Sequence, residues 1–343
     1  MKSEQSILDT ISQIYNLPKL SFLREPEKGI STKNMIVSAE DGQEYFIKQY
    51  RKGDLDKIGN SERSATFIRE NSHVPVVLPL KNKNSELHST INGQQYSIFP
   101  FIPNEETRPN FEAERNVFTR NLGEMLGKIH SVSGKVLIPE TIKQISAWAL
   151  VDRAEAVAEY EKILELIEKK ESLDEYDKKA KIFINLKISL LMENKFVKHE
   201  KQPVVVCHGD YHGRNILFDN KWEIIGICDW DASGKGNPYI EFIRSFNMCV
   251  IRRDFENLSD KKSVSKFFLD GYISKCGFKF DMSELEYAIE AWYEQLLTSK
   301  YPLSDHYYFG HNKNDTSLDS EYDKVVFLRD KRKELVELIN SCL

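Results

Sequence analysis

The 343-residue chain has no stretch approaching the roughly 20 consecutive apolar residues that a membrane-spanning helix needs. Its first residues, MKSEQSILDTISQIYNL, scatter apolar side chains at helical spacing and lack the apolar block of a secretory signal. Cysteine is scarce: Cys207, Cys228, Cys249, Cys276 and Cys342 are odd in number and widely separated. That excludes a fully paired disulfide framework and close-spaced metal motifs, and it reads as reduced thiols in a cytoplasmic protein. Positive charge is not in excess either. The 48 Lys and Arg stand against 53 Asp and Glu, for a formal net charge of −5, and no basic stripe marks a nucleic-acid binder. Internal repeats, coiled-coil heptads and low-complexity segments are all missing.

What the chain does contain is a polar cluster set between apolar runs. Hydrophobic residues make up 41%, enough for a substantial core, and the length predicts two domains or one large two-lobed unit. In the stretch VVVCHGDYHGRNILFD, the runs Val204 to Val206 and Ile216 to Phe218 read as short buried strands. The His, Asp, Arg and Asn between them then lie in a loop anchored at both ends, where catalytic groups commonly sit.

The rest of the chain divides near residues 100–105. Before it, Asp41-Gly42 and Asn92-Gly93 predict two hairpins. Between the hairpins, GNSERSATFIRENS predicts a helix capped by Asn60 or Ser61. Residues 1–103 are therefore expected to form a small antiparallel β lobe, and residues 104–343 a larger, mainly helical one. Leu122, Met125, Leu126 and Ile129 share a helix face. The Glu- and Lys-rich segment 150–197 predicts two helices joined near Ser172-Leu173-Asp174, their charges forming a solvated face.

Three further residues join the loop. Lys48 lies on a predicted strand, and Glu62 lies one turn into the following helix. Asp229 ends the apolar run Ile224 to Ile227, where a carboxylate needs a partner or a metal ion. In order these are Lys, Glu, Asp-x4-Asn and Asp, the parts used for phosphoryl transfer in the protein-kinase plan. On that plan Lys48 holds the α- and β-phosphates of ATP and Glu62 orients Lys48. Asp210 receives or aligns the substrate hydroxyl, and Asn215 and Asp229 hold Mg²⁺, which favours hard oxygen ligands.

HGDYHGRNILFD followed by GICDWDASGKGNPYIEF resembles the aminoglycoside phosphotransferase and choline kinase-like family, whose usual form is H-G-D-x-H-x-x-N and then a strand ending in Asp. LGEMLGKIHSV also resembles the helix with a Leu-His ending that precedes the loop there. The likeness spans roughly residues 30–300. It implies an α+β, bilobal protein kinase-like fold, with nucleotide bound by residues 1–103 and catalysis and acceptor binding in residues 104–343, and ATP- and Mg²⁺-dependent transfer of a phosphoryl group to a hydroxyl of a small acceptor. It also implies that Asp210 is catalytic and that Asn215 and Asp229 are the metal ligands. SIFPFIPNE reads as the hinge, with adenine pairing to backbone around Pro100 and Ile102; proline, lacking N–H, can only accept.

The chain departs from that pattern at several points. Gly29, with Ser31 and Thr32 nearby, replaces any G-x-G-x-x-G lid. Gly213-Arg214 stands for Pro-Gly, and Asn237-Pro238 for Asp-Pro. Asp229 is followed by Trp230-Asp231 rather than Phe-Gly, and no A-P-E follows, which argues against a protein kinase. His208 and His212 are expected to shape the loop. Asp231, Glu241 and Asp305 are candidates for binding a cationic amine, and Tyr301, Tyr307 and Tyr308 for stacking on the acceptor. Aminoglycosides, amino alcohols, sugars and homoserine stay open as acceptors. No nucleic-acid or membrane partner is expected, and the enzyme would be a monomer or homodimer. A catalytically silent nucleotide-binding module and a protein-modifying enzyme are the alternatives.

Overall fold

A computed structural model describes residues 2–26, 33–50, 54–104, 112–193, 195–196, 198, 202–251, 258–310 and 315–343. The fold is α+β. Helix α1 (Lys2–Tyr15) precedes β1 (Leu20–Arg24), β2 (Lys33–Ala39) and β3 (Glu44–Gln49). Helix α2 (Leu55–Glu70), β4 (Ser89–Ile91) and β5 (Gln94–Pro100) follow. The five strands form one antiparallel sheet in the order β1-β2-β3-β5-β4. Both predicted hairpins form, and Asn92 and Gly93 adopt φ of 52° and 75° in the second turn, where left-handed backbone matches the strand twist. Strand β1 was not predicted. Only Leu20 of its five residues is buried, so an edge strand here carries no alternation to read. Leu8 and Ile11 of α1 close a small core with Val37, Ile47 and Ile98 of the sheet.

Helix α2 corrects the predicted cap. It begins at Leu55 after Asp54, so Asn60 and Ser61 lie in its second turn and Glu62 lies beyond the first. Asn60 instead clamps two distant segments: its Nδ2 donates to Ser233 O at 2.8 Å and its Oδ1 accepts from the Lys143 N–H at 2.6 Å. Ala65, Phe67 and Ile68 of α2 join the larger core, not the one beneath the sheet.

The larger region holds α3 (Glu112–Val132), α4 (Arg153–Glu168) and α5 (Glu175–Glu193), the last two being the predicted pair on either side of residues 172–174. Then come β6 (Val205–Cys207), β7 (Ile216–Phe218), β8 (Ile224–Ile227), β9 (Gly234–Gly236) and α6 (Pro238–Phe246). Helices α7 (Lys262–Ile273), α8 (Met282–Thr298), α9 (Leu303–Phe309) and α10 (Ser317–Asn340) complete it. Strand β6 pairs with β9, and β7 with β8, so the polar loop joins two separate ribbons. Helix α10 begins within the polar stretch TSLDSE. No helix among the described residues is long and apolar enough to cross a membrane.

Helices α3 and α7 approach closely enough to exclude side chains at their crossing. A Cβ on Gly123 would lie 2.0 Å from Phe268 O, and one on Gly271 would lie 2.3 Å from Arg120 O. Alanine gains roughly 1 kcal/mol of helix propensity over glycine. A clash with backbone cannot be relieved by a rotamer, so overpacking wins. Gly123→Ala is expected to destabilise the protein by about 2 kcal/mol, read as a lower urea midpoint at unchanged slope.

Candidate active site

The loop from His208 to Asn215 hangs between β6 and β7, and a buried carboxylate sets its entry. Glu241, on the apolar helix α6, is 1% exposed. It accepts hydrogen bonds from the His208 N–H at 3.1 Å, from the Gly209 N–H, and from His130 Nε2 at 2.8 Å. His130 lies in α3 and its Nδ1 meets the Tyr272 hydroxyl at 2.8 Å. Burial pushes the Glu241 carboxyl up, but the His130 and His208 interactions and the Gly209 bond outweigh it and hold it below its ordinary value. Gly209 is required twice over: its φ is 88°, and a Cβ there would lie 2.1 Å from Ala232 O.

From that anchor the loop presents its polar groups. Asp210 is half-exposed, with Oδ2 3.3 Å from His212 Nε2. Burial raises its carboxyl, yet His212, His208 and the Arg244 charge lower it further, to about 2. Asn215 donates through Nδ2 to Asp210 O at 2.9 Å, which leaves Oδ1 as its ligand-type oxygen. His208 Nε2 lies 2.9 Å from Cys228 O, and the Cys228 N–H donates to Asn215 O at 2.9 Å. These bonds tie the loop to the turn carrying Asp229, whose φ of 59° is left-handed. Trp230 packs on the His208 ring at 4.7 Å between centroids. Both histidines therefore shape the loop, as expected.

Across the cleft, Lys48 of β3 is buried and lies 2.7 Å from Asp229 Oδ1 and 2.9 Å from Asp231 Oδ2. Burial alone would push its ammonium down; the two carboxylates reverse the sign and hold it above its ordinary value. Burial raises the Asp231 carboxyl against the pull of Lys48. Asp229 and the Asn215 amide oxygen make an all-oxygen donor set of the kind that suits a divalent cation such as Mg²⁺. Glu62 is not brought to Lys48. Its Oε1 lies 3.0 Å from His88 Nδ1. Burial raises the Glu62 carboxyl, and His88 opposes that.

Pro100 ends β5 opposite Tyr45, the next N–H (Phe101) donates to Glu44 O at 3.2 Å, and Ile102 is half-buried beyond it. Gly29, Ser31 and Thr32 lie outside the described residues. Among the acids expected to bind an amine, Glu241 is committed to the loop and Asp231 to Lys48. Tyr307 donates to Asp177 at 2.8 Å, whereas Tyr301 borders the cavity beside Asp210. Reading the sequence missed the anchoring role of Glu241. The signal was there: a lone acid inside the apolar run PYIEFIRSF needs buried donors.

Asp210 opens onto a cavity of about 330 Å³ between α6 and α8, bordered by Trp148, Arg244, Asn247, Trp292 and Gln295.

The model of the phosphotransferase enzyme family matches residues 23–262. Among solved structures, spectinomycin phosphotransferase in complex with ADP and spectinomycin is 16% identical, with a TM-score of 0.61 and 98% of each chain covered. A microcompartment-associated aminopropanol kinase is 11% identical, with a TM-score of 0.60 over 96% of this chain and 97% of that one. Amicoumacin kinase in complex with AMP-PNP and Ca²⁺ is 14% identical, with a TM-score of 0.56 and 93% of each chain covered. At these identities the likeness is one of fold. No curated protein matches the sequence.

Glu241 generates a test of the anchor. Its carboxyl is depressed, so its stabilisation is fully present above its unfolded value of about 4.3 and is lost as pH falls through the lower folded value. Glu241→Gln is expected to cost about 3 kcal/mol at neutral pH by leaving buried donors poorly matched. It should also flatten the acid limb of stability below that value, measured by urea unfolding across pH.

Proposed function

The chain belongs to the phosphotransferase enzyme family, and from that premise we propose that it is an ATP-dependent kinase that phosphorylates a hydroxyl of a small acceptor. The observation that carries this reading is the position of Asp210. Its half-exposed carboxylate faces the acceptor-sized cavity and accepts from Asn215 Nδ2 at 3.3 Å, while the Asn215 carbonyl accepts from the Cys228 N–H of the turn carrying Asp229, with Lys48 opposite.

Asp210 remains ionised at neutral pH, being held at about 2. So weak a base does not remove the hydroxyl proton at the outset. It accepts a hydrogen bond from the acceptor hydroxyl, aims an oxygen lone pair at the γ-phosphorus, and takes the proton late. The new O–P bond forms as the bond to the ADP oxygen breaks. Lys48, exchanging its carboxylate partners for the α- and β-phosphates, steadies the nucleotide. Asn215 and Asp229 would hold Mg²⁺, which when bound neutralises phosphate charge. Backbone around Pro100 and Ile102 would receive the adenine, and Glu62 would reach Lys48 only by leaving His88. Rate then comes mainly from positioning and fixed charge. The five unpaired cysteines fit the reducing cytoplasm, and a monomer or homodimer would suffice.

The test is ADP release from ATP and Mg²⁺ across amine, sugar and amino-alcohol acceptors. Asp210→Ala is expected to lose about 10²- to 10⁴-fold in kcat, and Asp229→Ala to blunt the dependence on Mg²⁺. An unchanged rate for Asp210→Ala refutes the assignment. Nucleotide binding without turnover on any acceptor points instead to a silent module.

A further inference from the structure

The cavity beside Asp210 is bordered by the side chains of two helix faces. One face is Glu241, Arg244, Ser245 and Met248 at the i, i+3, i+4 and i+7 positions of α6 and the π-turn (Asn247–Ile251) that continues it. The other is Trp292, Gln295 and Leu296 in the last turns of α8, with Ser299 just past its end. Such a cavity matches the lower end of small-ligand sites.

Its charges are unequally committed. Two cations border it, and Lys324 is already paired with Glu321 at 2.6 Å. Arg244 is half-buried, with its guanidinium 5.6 Å from the centre of the Trp148 ring. Among the described residues no carboxylate is hydrogen-bonded or ion-paired to it. A planar guanidinium held over an indole is preorganised to grip a carboxylate through two N–H groups.

A second observation is independent of charge. Asn247 Oδ1 and Gln295 Oε1 are buried without a hydrogen-bond partner, in residues only 3% and 6% exposed. Gln295 Nε2 donates to Trp148 O at 2.9 Å, so its amide is oriented and Oε1 is its accepting end. Unmatched buried acceptors are costly and call for N–H or O–H donors from a ligand.

We propose that the acceptor carries a carboxylate, held by Arg244, close to the hydroxyl presented to Asp210, and that Asn247 and Gln295 accept from its N–H or O–H groups. A hydroxylated amino acid or a sugar acid has this combination; a purely cationic amine does not. Arg244 lies among acceptor-cavity residues and not with Lys48 and Asp229, so the anion it meets belongs to the acceptor. The proposal rests on the kinase reading for the identity of the cavity, and its test separates the two.

Matched acceptors isolate the charge: L-homoserine against L-homoserine amide, and D-gluconate against D-glucitol. In the wild type the acid of each pair is expected to exceed its uncharged partner in kcat/KM by roughly 10- to 100-fold, the value of a charge-assisted hydrogen-bond pair. Arg244→Gln should collapse that ratio towards one through KM, and Arg244→Lys should restore part of it. Calorimetric binding of the same pairs with Mg²⁺-ADP present reads the preference without turnover. Acid-selective binding with no turnover keeps this inference and removes the kinase reading. Turnover favouring glucitol, choline or spectinomycin keeps the kinase reading and overturns this inference. Equal losses on acid and uncharged partners in Arg244→Gln also overturn it, as does equal or absent binding of both members of each pair.

Discussion

The loop that carries Asp210 and Asn215 depends on one buried carboxylate. Glu241 receives two consecutive backbone N–H groups at the loop entry and the ring of His130 from another helix. Taking a carboxylate out of water costs several kcal/mol, and only closely placed donors offset it. Each of them must therefore stay in place for the ion to stay buried. The consequence reaches Asp210 directly, because Gly209, fixed by Glu241 and by the backbone of Ala232, turns the chain so that the next side chain faces the cleft.

Charge is balanced differently on the two sides of the cleft. On one side a single buried lysine is shared between Asp229 and Asp231 and offsets one of their two charges. On the cavity side the Asp210 carboxyl is held low by neighbouring histidines and Arg244. The half-exposed Asp210 is screened by solvent, so these neighbours matter for its protonation state more than for stability. Glu62, 26 positions from His88 and bonded to it, leaves Lys48 to the two aspartates. An ammonium between two carboxylates gains more than one shared with a third acid whose desolvation His88 already offsets in part.

The helices beyond the loop act as scaffold and wall. Glycines at the crossing of α3 and α7 allow backbone contact, which sets the height of His130 beneath the loop. Helices α6 and α8 supply the cavity, and their polar faces differ from an ordinary core in leaving amide oxygens unmatched. A buried interior tolerates such atoms at a ligand site far better than elsewhere.

By itself the sequence determined what local pattern can encode. Short β-branched runs, Asp-Gly and Asn-Gly turns, and the spacing of His208, Asp210, Asn215 and Asp229 were legible because residues a few positions apart share one loop or strand pair. The edge strand β1 and the start of α2 were not legible, since neither has a burial alternation or a capping bond to read. Tertiary structure alone decided the pairings. Lys48 reaches Asp229 across 181 positions and His130 reaches Glu241 across 111, and no spacing rule encodes such distances. Glu62 turned to His88, and Glu241 went to the loop and not to a ligand. Buried charges choose partners by through-space compensation, which depends on what the fold brings near and not on where residues stand in the chain.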